Sequence, residues 1–319
     1  MQVKLGKKER TRPSLPCYIL LIILFFTAFA CKQKSSSVQI DFSKTEIPFE
    51  GIFEPEQSVT VRFAMVAGNS PLITMNLYGE LFEYIGKKLG SPVQFVQRKT
   101  YSEINELLRT GEIDFAIISS NSYVRAKEEF GVENVAVPVI NGKSLSSSYV
   151  VVRPDSGINK FTELRGKAYA FTHPSSTSGR LVPVYKLALM GETPLSFFSR
   201  YIFTYNNDKS IKAVEEGLVD GASVDSLVYD YLNIDSPQQI SSTTVIDRSP
   251  PYGISPVVAS PHTSYLLKNQ ISRILLNLHK DQEGQRILKE LKFDRFVLPD
   301  EESYKPIRKM REFVLKKNR

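Results

Sequence analysis

Ser175-Ser176-Thr177-Ser178-Gly179-Arg180-Leu181-Val182-Pro183 runs consecutive hydroxyl side chains into a glycine. The apolar run Ala168-Tyr169-Ala170-Phe171 precedes it, and Val184-Tyr185-Lys186-Leu187-Ala188-Leu189-Met190 follows. That order predicts strand, tight turn, helix. Pro183 marks the helix start, because proline fits a first turn, where no intrahelical N–H is required. The Ser-Thr-Ser-Gly bend then lies over the free N–H groups of that turn. Backbone donors, the positive end of the helix dipole and several hydroxyls together form a neutral cradle for a phosphate-like anion. The alternative is capping, in which a hydroxyl before a helix contributes about 1 kcal/mol. A cap needs one hydroxyl, and this bend offers four.

The chain has 319 residues, 42% of them hydrophobic, enough for two medium domains with their own cores. Its formal charge of +7 is concentrated at the ends. Lys4, Lys7, Lys8, Arg10 and Arg12 face only Glu9 in residues 1–30. Arg308, Lys309, Arg311, Lys316, Lys317 and Arg319 face only Glu312 in residues 306–319. The body between is slightly acidic, so no basic groove and no nucleic-acid partner are expected.

The basic start leads into Tyr18-Ile19-Leu20-Leu21-Ile22-Ile23-Leu24-Phe25-Phe26-Thr27-Ala28-Phe29-Ala30 and then Cys31. The run is short for a membrane-spanning helix, which needs about 20 residues. It reads as an export signal over residues 1–30. Ala28-Phe29-Ala30-Cys31 resembles a bacterial lipobox, in which Cys31 becomes the acylated first residue of the mature protein. An uncleaved anchor is the alternative. Residues 31–57 then form a tether to the membrane. Cys17 and Cys31 are the only cysteines. The folded body is therefore expected to carry neither disulfides nor cysteine-bound metal.

Val61 to Ala67, Val93 to Val96 and Ile113 to Ile118 read as strands, with helices between them. Strand–helix alternation predicts a mostly parallel sheet covered by helices. Ligands in such sheets collect beyond the carboxyl ends of the strands, where Ser119, Ser120 and Tyr123 fall. The unit then recurs: the segment from Ser210 to Ala222 echoes that from Glu103 to Ala116. In both, an amphipathic helix stops at a glycine, Gly-x-x-Asp-x-Ala opens a strand, and a tyrosine (Tyr123, Tyr229) follows nine residues past the aspartate. The echo predicts two lobes of similar construction. Lobe 1 is expected to comprise 58–148 plus 250–300, and lobe 2 149–249. Tyr149 to Val152 and Tyr252 to Ala259 are the expected crossing strands, and 301–319 the expected basic tail.

The segment from His173 to Pro183 resembles the D-P-x-S-T-S-G-x-L-x-P signature of the periplasmic phosphate/phosphite/phosphonate-binding proteins of ABC transporters. The likeness extends to Tyr101, Gly111-Glu112-Ile113-Asp114, Ser122-Tyr123-Val124 with Ala126, and Leu164-Arg165-Gly166-Lys167. It continues through Ala213-Val214 with Gly217 and Asp220 to Ser249-Pro250, and so covers about residues 60–290. The resemblance implies an α/β type II clamshell whose Ser176, Thr177 and Ser178 hold the oxyanion. Ser119, Ser120 and Tyr123 belong to the facing lobe, and Ser148 stands before the crossing strand. The family's usual histidine position holds Asn207, which can donate a hydrogen bond but carries no charge. Family members that take aminoalkyl phosphonates need a carboxylate beside the amine, and the segment from Ser249 to Pro256 offers Ser255 instead. Arg180 either turns inward to supply charge or lies solvated on its helix, the latter being favoured.

Catalysis finds little support. His173, His262 and His279 lie far apart without metal spacing, Ser178 lacks the G-x-S-x-G elbow, and no P-loop is present. Asp114 and Asp220 read as turn caps, and Tyr229 as packing. The expected role is a monomeric, cofactor-free lipoprotein that captures a small oxyanion by hinge closure and passes it to an ABC permease. A ligand sensor for a membrane receptor, or a surface lipoprotein that has lost its ligand, are the alternatives.

Overall fold

Strand β1 (Val61–Val66) alternates its faces, with Phe63 in one apolar cluster and Ala64 in another. The same division separates Phe115 from Ala116 on β3 (Phe115–Ile117). Successive strand residues point to opposite faces, so this sheet is covered on both sides. The computed structural model describes residues 60–66 and 71–317, with the backbone alone for 71–77. The expected signal, the Cys31 lipobox and the tether lie outside the described residues.

Helix α1 (Pro71–Leu89) and helix α2 (Tyr101–Thr110) carry the chain between β1, β2 (Val93–Arg98) and β3, which pair in parallel. Thr100 and Glu103 form a reciprocal capping box at the start of α2, and Gly111 ends it at φ 75°, a conformation glycine adopts without penalty. Helix α3 (Ser120–Phe130) and β4 (Glu133–Val139) follow. The chain then leaves through β5 (Leu145–Ser146) to build a second sheet from β6 (Ser148–Val152), β7 (Ala168–Phe171), β8 (Arg200–Phe203), β9 (Gly221–Asp225) and β10 (Thr244–Arg248).

The second sheet is also covered on both faces. Helices α6 (Asn207–Glu215) and α7 (Ser226–Asp235) bury Ile211, Val214 and Leu232 against Val151, Ala170 and Ala222. The opposite face is aromatic, with Tyr169 and Phe198 stacked at 4.3 Å between ring centroids. The chain returns through β11 (Tyr252–Gly253) and completes the first sheet with β12 (Val257–Ala259) and β13 (Arg295–Val297), in the order β13-β4-β12-β3-β1-β2. The stretch from Lys268 to Glu290 is two helices, α8 (Tyr265–Asn277) and α9 (Gln282–Leu291), separated by the Asp281 cap. Both pack against α1 on the first sheet.

Two expectations change. The connection between the sheets is the short antiparallel ribbon of β5 and β11, paired Tyr252 to Ser146 and Gly253 to Leu145. Tyr149 to Val152 lies within the second sheet between β10 and β9, and β12 within the first. Residues expected as a basic tail form helix α10 (Lys305–Lys317), which buries Ile307 and Met310.

The internal echo is visible in atoms. Asp114 accepts the Arg62 N–H at 2.8 Å, and Asp220 accepts the Ala168 N–H at 2.7 Å. In return, the N–H of each aspartate donates to the carbonyl of the same partner. Each lobe thus pins the entry of its middle strand to a neighbouring strand by one carboxylate. Tyr123 and Tyr229 are both buried.

Candidate functional site

Strand β7 is buried along its length and delivers the chain to the hydroxyl bend. Thr177 to Leu181 form one wide π-turn before helix α4 (Val182–Leu189), which the short α5 (Pro194–Phe197) follows, rather than leading directly into an α-helix. The Leu181 N–H reaches the Ser176 carbonyl at 3.0 Å, and the Ser176 hydroxyl accepts the Gly179 N–H at 3.0 Å. Thr177 and Ser178 are the first residues of this turn, so helix geometry gives their N–H groups no acceptor within it. Gly179 lies against the end of its own strand: an added Cβ would sit 1.7 Å from Thr172 Oγ1. Only glycine fits there.

The facing lobe presents a second helix start. Ser119 caps α3 by accepting the Ser122 N–H, and its hydroxyl donates to the Ser175 carbonyl at 2.8 Å. The Asn121 N–H donates to Thr177 Oγ1 at 2.8 Å, which leaves the Thr177 hydroxyl proton free to donate. Ser120 donates to the Gly253 carbonyl at 2.6 Å, tying the same helix start to the ribbon.

Ser119, Ser120, Ser176, Thr177, Ser178 and Asn207 all line one cavity of about 300 Å³. Two expected residues do not. The Tyr123 ring is fully buried, and its hydroxyl donates to Glu301 on the far side of α3. Ser148 stands behind the bend and donates to the Ser178 carbonyl at 2.7 Å, so it supports the cradle from outside. Arg180 also lies away from the cavity, half-buried against aromatic rings rather than freely solvated. Its guanidinium rests over Phe171 and Phe203, at 5.7 and 5.2 Å from the ring centroids. This places it in a cation–π contact that brings no charge to the bend.

Asn207 accepts the Asp225 N–H at 3.0 Å through Oδ1, so its amide hydrogens are available to the cavity. The described residues that line the cavity include no Lys, Arg or His. An anion there is held by neutral donors and two helix starts. The hydroxyls of Tyr78 and Tyr101 belong to this wall, and burial pushes each up to about 12, so they stay protonated. The Tyr252 hydroxyl is buried in the same wall, with the Ser146 and Ser178 hydroxyls as its polar neighbours.

Asp225 is the one carboxyl among the lining residues. It caps α7 by accepting the Leu227 N–H at 3.0 Å, and it accepts the Ser146 hydroxyl at 2.8 Å. Burial raises its pKa, and hydrogen bonding from Ser146, the Leu227 N–H and Ser178 partly offsets the rise. Asp225 was legible in the echo. Ser119 lies five residues past Asp114, and Asp225 lies five past Asp220. Asp225 ends β9, Ser119 stands two residues past the end of β3, and both cap the next helix.

A family model described as "ABC transporter, phosphonate, periplasmic substrate-binding protein" matches residues 63–304. The chain belongs to this family. The phosphonates-binding periplasmic protein of Escherichia coli (strain K12) is 26% identical to this periplasmic binding protein over 260 residues, covering 80% of this chain and 77% of the relative. The phosphate-import protein PhnD of Mycolicibacterium smegmatis is 29% identical over 180 residues, 53% of this chain and 56% of that one. Among solved structures, a binding protein component of an ABC phosphonate transporter from Pseudomonas aeruginosa superposes with a TM-score of 0.73. It is 21% identical, over 81% of this chain and 87% of that one. PhnD1 from Prochlorococcus marinus, solved with methylphosphonate, gives 0.69 at 19% identity, over 81% and 98%. The fold of this binding protein is the two-lobed type II clamshell of these neighbours. Its named relatives are transport binding proteins.

Proposed function

We propose that this binding protein captures a small phosphate-like oxyanion between its lobes and delivers it to an ABC permease, held at the membrane by a lipid on Cys31. One observation carries the reading: the start of α3 at Ser119 and Ser120 from one lobe, and the bend of Ser176, Thr177 and Ser178 from the other, meet in one cavity whose described lining residues include no cation. Binding by parts of both lobes ties capture to closure, because neither lobe alone supplies the full set of donors. No bond is made or broken. The Thr177 hydroxyl, with its oxygen already engaged by Asn121, is the donor best prepared for an anionic oxygen.

Asp225 narrows the ligand. A carboxylate beside an oxyanion must be protonated, or the ligand must bring a proton or a cation to it. A monoprotonated phosphonate, phosphite or phosphate meets that condition. So does an aminoalkyl phosphonate whose ammonium pairs with Asp225, a second reading that the absence of a carboxylate at Ser255 had counted against. The relatives' names are divided between phosphonate and phosphate, and the methylphosphonate complex of a neighbour adds to the phosphonate side.

The test is calorimetric titration with phosphate, phosphite, methylphosphonate and 2-aminoethylphosphonate, on wild type and on Thr177→Ala. At least one ligand is expected to bind, and Thr177→Ala to weaken it about tenfold or more without unfolding the chain. A ligand at 100 times its Kd should add about 2.7 kcal/mol to thermal stability. Unchanged affinity in Thr177→Ala would remove the bend from the site.

A further inference from the structure

Helix α10 begins one residue past the end of the family match at Tyr304, and the capture mechanism above gives it no part. It packs on both lobes. Ile307 and Met310 share one buried cluster with Tyr123 and Val124 of α3 and with Leu181 and Val182 at the end of the bend. The Phe313 ring meets Tyr185 of α4 edge-on at 5.4 Å.

On this helix, Arg311 reaches the hydroxyl bend through one intermediary. Its Nη1 donates to Asn121 Oδ1 at 3.1 Å. Asn121 in turn donates its side-chain Nδ2 to the Ser175 carbonyl at 3.1 Å, and its backbone N–H to Thr177 Oγ1 at 2.8 Å. The Arg311 side chain is 15% exposed, and its Nε makes no hydrogen bond. Its ion-pair partner Glu128 stands 3.8 Å away and also faces Arg308 at 3.4 Å. A surface ion pair alone therefore accounts poorly for so buried a guanidinium.

We propose that α10 ties the two lobes together and that Arg311 is a positioning residue for binding, acting through Asn121. An asparagine amide can turn end for end, and only one orientation donates to Ser175. A guanidinium carries donors only, so its contact with Oδ1 fixes that orientation. Asn121 then holds the bend so that the Thr177 proton faces the cavity. The tie exists without ligand; its effect on affinity rests on the cavity being the binding site proposed above.

The test uses the full chain with Arg311→Met, Asn121→Ala and the double variant. Hydrogen exchange of amides 175–181 is measured without ligand, and methylphosphonate affinity by calorimetry. Arg311→Met is expected to speed exchange of the bend and to weaken binding about tenfold, and to add nothing further once Asn121 is alanine. A residue that merely packed α10 would keep its full effect in the Asn121→Ala background. That result, or unchanged exchange in Arg311→Met, overturns the proposal. If Arg311→Met folds poorly, Asn121→Ala alone decides: faster exchange supports the tie, and wild-type exchange rejects it. Faster exchange in Arg311→Met alongside a wild type that binds no methylphosphonate supports the tie while removing that ligand.

Discussion

Ser119 and Asp225 occupy the same place in the two halves of the molecule. Each closes a central strand or follows its end within two residues, each caps the helix that follows, and each lines the cavity. One is a neutral hydroxyl that bonds across to Ser175, and the other is a half-buried carboxyl held by Ser146 and Leu227. A repeated scaffold has been given two unlike chemistries at one equivalent position. Capping tolerates both, since serine and aspartate are similar caps; an oxyanion does not. The difference sets which ligands the cavity tolerates, and it leaves the scaffold unchanged.

Making the halves alike in the unfavourable direction should have the largest effect. Ser119→Asp keeps a good cap on α3 but sets a second carboxyl in the cavity. Oxyanion affinity is expected to fall about 100-fold, with the helix still formed by circular dichroism. Retained affinity would mean that the Ser119 position does not face the anion.

The bend of the second lobe has a steric demand that the helix start of the first lacks. Gly179→Ala drives a Cβ into Thr172. It is expected to cost about 2–3 kcal/mol of stability in urea unfolding, whereas Asn121→Ala in the other lobe should cost less.

Asp225→Asn makes the halves alike in the favourable direction. Burial raises the Asp225 pKa, so its neutral form persists to higher pH than in the unfolded chain. The stability linked to that shift is present at low pH and is lost as pH rises through the folded-state value. Wild-type affinity for a simple oxyanion should weaken over the same rise, and Asp225→Asn should flatten the profile and tighten methylphosphonate about tenfold at pH 8. If the ligand's ammonium sits on Asp225, the same change instead weakens 2-aminoethylphosphonate. The two profiles separate the ligand classes.

Tyr252→Phe should change least. Removing this hydroxyl, which has Ser146 and Ser178 beside it, is expected to change stability by no more than about 1 kcal/mol, and to lower affinity only if the hydroxyl meets the ligand. Thermal melts with and without methylphosphonate measure both.

The sheets, the glycine stops and the echo were legible because period-two and helical spacing are written in long apolar runs such as Val61 to Ala67. The ribbon was not. Each of its strands has two residues, too short for any period, and the longer apolar run from Tyr149 to Val152 drew the assignment instead. Helix α10 was read as a tail because its charges are conspicuous. The stripe Ile307, Met310, Val314 lies at helical spacing beneath them. The hydroxyls of the site were legible and the role of Ser148 was not, since whether a serine faces a cavity or the back of a bend depends on tertiary packing. Asp225 shows how far the echo reaches when it is carried past its aspartate to the end of the strand.

That the described lining residues of the cavity include no lysine or arginine bears on unloading. A guanidinium would keep its charge, and much of its pull, after the halves moved apart. Hydroxyls and helix ends act only at contact distance, and half of them leave with each lobe. On the function proposed above, parting the lobes would dissolve the grip at once, and the passenger would return to water with no fixed countercharge to detain it.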